Sequence, residues 1–165
     1  MRTFPTENQA KWDFRFLELA KFISSWSKDP STRVGAVLTE DKRVVSIGFN
    51  GLPQGVEDKE EILNNRELKY EQVVHGEVNC YIFSGRTNLK GLTLYTYPFL
   101  PCSRCASIFI QAKVDRVVSL ELEVKDFERW GKSINISKEN FHQAGIKVDT
   151  YCRERISWIT GGVFN

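Results

Sequence analysis

The sequence predicts an α/β domain, a three-layer α/β/α sandwich on a five-stranded mixed sheet. Three observations lead there. An amphipathic helix opens the chain, two β-rich runs around a short polar turn form a hairpin, and three helix-then-strand units follow. Strands separated by helices call for parallel pairing, because a parallel crossover needs a helix to carry the chain back. The 165 residues are expected to form one domain, 1–165, with a substantial core.

The elements follow from local chemistry. Thr6-Glu7-Asn8-Gln9 reads as a capping box. Trp12, Phe16, Leu19, Ile23 and Trp26 then recur every three or four residues as one apolar face, stopped by Asp29-Pro30-Ser31. Arg33 to Leu38 and Arg43 to Phe49 are strands joined by Thr39-Glu40-Asp41-Lys42. Gly48 to Pro53 reads as a tight turn, and Gly55 to Leu68 as an irregular excursion or short helix. A helix is expected from His75 to Ser84 with Val78, Ile82 and Phe83 inward, and a strand from Leu92 to Tyr97. Pro101 opens a helix through Lys113, with Ala106, Phe109 and Ile110 apolar, and Val114 to Leu120 is the next strand. Glu121 to Asn135 reads as charged and irregular, Ile136 to Ala144 as a helix ended by Gly145, and Ile146 to Tyr151 as the last strand. Trp158, Ile159 and Phe164 in the tail are expected to pack on the domain or on another subunit.

Composition narrows the function. Charged residues make up 27%, hydrophobic ones 41%, and the net charge is +2, too small to argue for a nucleic-acid or membrane-surface partner. No secretory h-region is visible from Met1 to Lys11, and no apolar run approaches a membrane span. A soluble, cytoplasmic protein is the expectation, and there a cysteine pair points to metal or catalysis rather than to a disulfide. Cys80 and Cys152 lie among apolar neighbours and read as small buried hydrophobes.

The chemistry concentrates in His75-Gly76-Glu77 and Pro101-Cys102-Ser103-Arg104-Cys105. One imidazole and two thiolates suit zinc, and three protein ligands leave a position open for water, as catalytic zinc sites do. Both motifs open helices that start at the same edge of a parallel sheet, so ligands 27 residues apart can meet. A helix start lowers thiol pKa values and favours the metal-bound thiolate. Zinc, in turn, brings the pKa of its water to about 7, and Glu77 can take up that proton and pass it to substrate. His-x-Glu followed by Pro-Cys-x-x-Cys is the known signature of zinc nucleobase deaminases. Two rivals stand beside it: a thioredoxin-type redox motif, which gives His75 and Glu77 no role, and a non-catalytic zinc scaffold.

From about Phe16 to Tyr151 the sequence resembles the deoxycytidylate (dCMP) deaminases of the cytidine deaminase superfamily. The resemblance is carried by the block Ser27-Lys28-Asp29-Pro30-Ser31-Thr32-Arg33-Val34-Gly35-Ala36, by Gly48-Phe49-Asn50-Gly51-Leu52-Pro53, and by the two zinc motifs with Val74, Val78 and Asn79. It implies a cytidine deaminase-like fold and hydrolysis of dCMP to dUMP and ammonia, which supplies thymidylate synthesis; the alternative is a related zinc deaminase acting on another cytosine nucleotide or on a nucleic-acid base. It also implies that His75, Cys102 and Cys105 bind zinc and that Glu77 shuttles protons. Asn50 would contact the deoxyribose, the Gly76 N–H the cytosine carbonyl, and the carbonyl near Pro101 the leaving amino group. Ser27, Ser31, Thr32 and Arg33 would hold the 5′-phosphate, and the stretch Phe127 to Trp130 would close over the nucleotide. A homo-oligomer, hexameric by resemblance, with dCTP activation and dTTP inhibition at a site involving Gly48, Asn50, Gly51, Phe83 and Arg86, completes the expectation. The family's usual His-Ala-Glu is His-Gly-Glu here, and the Cys and His that bind a second zinc in some members are missing from Gly55 to Val74, so one zinc per chain is expected.

Overall fold

The structure is a computed structural model that describes residues 5–154 and 156; the tail residues Trp158, Ile159 and Phe164 lie outside them. Five strands form one sheet in the order β2-β1-β3-β4-β5: β1 (Gly35–Glu40), β2 (Arg43–Phe49), β3 (Leu92–Tyr97), β4 (Arg116–Leu120) and β5 (Lys147–Tyr151). β1 is antiparallel to both β2 and β3, and β3, β4 and β5 run parallel. The hairpin and the parallel half therefore stand as the sequence predicted.

Among the described residues the helices are α1 (Glu7–Ser24), α2 (Glu60–Asn64), α3 (Arg66–Gln72), α4 (Gly76–Phe83), α5 (Ser103–Gln111) and α6 (Val124–Gln143), with α1 on one face of the sheet and α4, α5 and α6 on the other. Strand alternation divides the core between the faces. Val37, Tyr95 and Val118, in register across three strands, pack with Phe14, Leu17 and Ala20 of α1. Their neighbours Leu38, Leu94 and Val117 pack with Cys80 of α4, Phe109 of α5, and Ile134 and Phe141 of α6.

Several boundaries and faces differ from the sequence reading. The hairpin turn is only Asp41-Lys42, with Asp41 at φ 52°, so Thr39 and Glu40 extend β1. α1 is capped by the Thr6 side chain, which accepts from Gln9 N–H, but its buried face is Phe14, Leu17 and Ala20 with Phe16 and Ile23. Trp26 lies past the end of α1 and is 47% exposed. The Gly55 to Leu68 excursion contains α2 and the start of α3.

Ile82 and Phe83, expected inward, are 57% and 68% exposed, and the buried face of α4 is Gly76, Glu77 and Cys80. The reason is close packing. A Cβ on Gly48 would stand 2.3 Å from the Gly76 carbonyl oxygen and 2.3 Å from Cys80 N, so only small residues fit between α4 and β2.

The charged stretch after Glu121 is ordered, since α6 runs unbroken from Val124 to Gln143. Gly131, Ile134, Ser137 and Phe141 form its buried stripe at helical spacing. The two small members blank out the hydrophobic signal, which is why the first half of the helix reads as irregular.

Candidate active site

His75 is the N-cap of α4 and Cys102 the N-cap of α5, both with extended backbone. β3 carries the chain between the two helices, so both helix starts reach the same end of the sheet. His75 Nδ1 lies 3.5 Å from Cys102 Sγ and 3.3 Å from Cys105 Sγ. The three candidate ligand atoms all fall within 4.8 Å of one another. Glu77 is 4% exposed and accepts from Cys105 Sγ at 3.9 Å.

The donor set fits zinc. The Cys105 contact and the nearby imidazole pull the Cys102 thiol down to about 4, against the opposing effect of burial. Cys105 is pushed up by Cys102 beside it and by burial. Two buried sulfurs facing each other thus share one negative charge readily and need a cation to carry two. The Cys102 partner raises the His75 pKa. Burial, with Cys102 close by, raises Glu77 to about 7.

A narrow cleft opens over this floor and is walled by Asn50, Thr32, Phe99, Lys69, Tyr70, Arg129 and Trp130 together with His75, Glu77 and Cys102. Asn50, Thr32 and Trp130 were expected there. Ser27, Ser31 and Arg33 are not among the lining residues. Ser27 is buried, donating to the Asn50 carbonyl at 2.8 Å. The Ser31 hydroxyl accepts from Lys69 Nζ at 3.1 Å, and exposed Arg33 donates from Nε to the Asp29 carbonyl at 3.4 Å. Gly76 opens α4, so its N–H has no partner within the helix. The Pro101 carbonyl accepts from Ser137 Oγ at 2.7 Å, and Ser133 Oγ accepts from Ser103 N–H at 2.9 Å, so α6 fastens the cysteine loop.

Of the residues expected at a second, regulatory site, Asn50 lines this same cleft. Gly48 is the packing contact under α4, and Gly51 pairs with Val74 in an isolated bridge. Phe83 is exposed, and Arg86 pairs with Glu40 at 3.1 Å.

Sequence reasoning missed Asp29 and Lys69. Their side chains are 8% and 3% exposed and pair at 2.9 Å. Asp29 Oδ1 also accepts from the N–H groups of Ser31 at 2.7 Å and Thr32 at 3.1 Å. Asp-Pro-Ser-Thr is the pattern of an Asx turn, a signal available in the sequence but read only as a helix stop. No local pattern links Lys69 to it, because α3 brings the lysine from 40 residues away.

Comparison with known proteins matches the family model of the cytidine and deoxycytidylate deaminase zinc-binding region to residues 10–121. The chain belongs to this deaminase family. The family is zinc-dependent and hydrolytic, and in this member His75, Cys102 and Cys105 are positioned to bind one metal ion. This deaminase is 44% identical over 140 residues to an uncharacterized deaminase of the luxG 3′ region of Aliivibrio fischeri, covering 84% of this chain and 92% of that one. It is 31% identical over 146 residues to human deoxycytidylate deaminase, covering 85% and 79%. Its fold matches the crystal structure of the dCMP deaminase from cyanophage S-TIM5 with a TM-score of 0.66 at 20% identity, covering 86% of this chain and 98% of that one. Among the described residues no helix is long and apolar enough to cross a membrane.

Proposed function

We propose that this deaminase hydrolyses dCMP to dUMP and ammonia and so supplies dUMP for thymidylate synthesis. The observation that carries the chemistry is the buried Glu77 carboxylate beside a three-donor set, at the floor of one cleft. The choice of dCMP follows the human relative, which carries that name.

Zinc held by His75, Cys102 and Cys105 supplies Lewis acidity that brings the pKa of a water to about 7. Glu77, buried beside this donor set, is placed to accept a proton from that water and to give it up again. In the balanced reaction, the water oxygen bonds to C4 of cytosine, its protons pass through Glu77 to the ring nitrogen and the amino group, and ammonia leaves. The Gly76 N–H holds the cytosine carbonyl, and the carbonyl near Pro101 orients the amino group. Asn50 stands where the deoxyribose lies, and Trp130 with Phe99, their rings 5.4 Å apart, forms an apolar wall. Excluding water on that side strengthens each polar contact inside.

Glu77→Gln keeps the zinc and lowers ammonia release from dCMP by about 10²-fold or more. Metal analysis of the purified variant beside a turnover assay checks both halves, and a fully active variant refutes the role. Wild-type protein that releases ammonia from CMP or from cytosine in an oligonucleotide, but not from dCMP, overturns the substrate.

The same reading includes a homo-oligomer, hexameric as in the resembling family, activated by dCTP and inhibited by dTTP. Sedimentation and dCMP assays with each triphosphate test it; a monomer indifferent to both rules it out.

A further inference from the structure

We infer that Arg129 selects a phosphorylated substrate, gripping the 5′-phosphate in the cleft that it lines together with Glu77; this rests on the deaminase reading above. Arg129 reaches from α6 across to α3 and the Asp29 loop. Its Nε donates to the Tyr70 hydroxyl at 3.0 Å, its Nη2 donates to the same oxygen, and its Nη1 donates to Thr32 Oγ1 at 3.5 Å. Its guanidinium carbon lies 5.0 Å from the Trp130 ring centroid and 5.7 Å from that of Tyr70. Arg129, Tyr70, Thr32 and Trp130 line the cleft that also holds His75 and Glu77.

The charge balance of this cleft is what points to an anion. Lys69, the other lining cation, is neutralised by Asp29 at 2.9 Å, both side chains being buried. Arg129 pairs with no carboxylate within 4.0 Å among the described residues; its partners are neutral oxygens and rings. A second guanidinium, that of Arg66, stands 5.4 Å from the Tyr70 ring. Burial raises the Tyr70 pKa, but bonds from Arg129 and Arg66 outweigh it and leave the phenol below its ordinary value. The Trp130 indole N–H is buried and has no acceptor among the described residues.

The cleft therefore holds an arginine that no carboxylate answers among the described residues. A phosphate does: a guanidinium forms two parallel bonds to it, and exchanging exposed neutral partners for a dianion is favourable. Thr32 and Tyr70 then act as placeholders that keep the arginine fork extended. Arg33, which the resemblance offered for this task, points its Nε back to the Asp29 carbonyl outside the cleft lining.

The test compares kcat/KM for dCMP and for deoxycytidine in the wild type, Arg129→Gln, Arg129→Lys and Arg33→Ala. Loss of a charged hydrogen-bonding partner predicts a fall of about 10- to 100-fold on dCMP in Arg129→Gln, with partial recovery in Arg129→Lys. Deoxycytidine, lacking the phosphate, loses no more than about 3-fold. Calorimetric titration with inorganic phosphate reads the same site without turnover: the wild type binds it and Arg129→Gln does not. Equal losses on both substrates mean that Arg129 only braces α6 against α3, and overturn the inference. So does a preference for dCMP that survives in Arg129→Gln and disappears in Arg33→Ala. If the wild type releases ammonia from neither substrate, the deaminase reading fails, while the phosphate titration still decides the fate of Arg129.

Discussion

Asn50 uses both ends of its amide on the loop that faces it. Oδ1 accepts from Val34 N–H at 2.8 Å, and Nδ2 donates to the Thr32 carbonyl at 2.9 Å and to Asp29 Oδ2 at 3.5 Å. The favoured Asn-Gly turn thus does two jobs, reversing the chain after β2 and holding the cleft wall. Replacing Asn50 by Ala leaves a buried N–H and a carbonyl without their partners, at about 1–3 kcal/mol for each group left unsatisfied. Urea denaturation should show a loss of about 2 kcal/mol or more in Asn50→Ala. The kcat/KM for dCMP should fall with it, because Thr32 and Asp29 drift together. A variant with unchanged stability and lowered kcat/KM would instead make Asn50 a substrate contact with little structural duty.

Helix α4 carries His75 and Glu77, and its position depends on the bare backbone of Gly48 in β2. In Gly48→Ala the new methyl meets backbone atoms of Gly76 and Cys80 at 2.3 Å, and neither can swing aside. The helix must lift from the sheet, and overpacking of this kind costs about 1–3 kcal/mol. Thermal unfolding should show that loss, and metal analysis a lower zinc content, since the lift carries His75 away from the two sulfurs. Gly51→Ala is the control: nothing lies within 4 Å of the added atom, and stability should change by no more than about 0.5 kcal/mol. On the other side of the site α6 has the corresponding duty. Its Ser137, wholly buried, ties down the Pro101 carbonyl, so the cysteine loop is positioned by a helix that contributes no zinc ligand.

Across the whole molecule one buried polar network joins α1 to the parallel half of the sheet. Asp13 accepts from Arg116 at 2.8 and 2.6 Å, from the Tyr95 hydroxyl at 2.8 Å and from the Tyr151 hydroxyl at 2.6 Å, and Arg116 also reaches Asp149 at 2.7 Å. One carboxylate thus pins strands β3, β4 and β5 to the helix that covers them. Burial opposes the charge on Asp13, but its bonds to Arg116 and Tyr151 outweigh that and hold its pKa below the ordinary carboxylate value. A folded pKa below the unfolded one gives stability that is complete above the unfolded value and is lost as pH falls through the folded value. The wild type should therefore lose denaturant stability as pH drops below about 4. Asp13→Asn should already be weaker at pH 7 by about 1–3 kcal/mol, because Arg116 loses one of its two carboxylate partners and keeps Asp149, and should show a shallower acid dependence. Parallel pH profiles for the two proteins would sink this account.

The sequence by itself determined the chemistry and the outline of the fold. A histidine, a glutamate two residues on and a Cys-x-x-Cys pair can be read from spacing because each pair shares one helix start, where local geometry fixes the relation. The hairpin and the helix–strand alternation were legible for the same reason, since their periods are set by neighbours along the chain. Tertiary structure alone decided what faces what. Small residues on α4 and α6 mark close packing and not exposure, which inverted the reading of Ile82 and Phe83 and hid half of α6. Asp29, Lys69, Tyr70 and Arg129 line the cleft from three separate segments. Whether a charge there is neutralised or left unanswered depends on contacts between distant segments, and no pattern within one segment records such contacts.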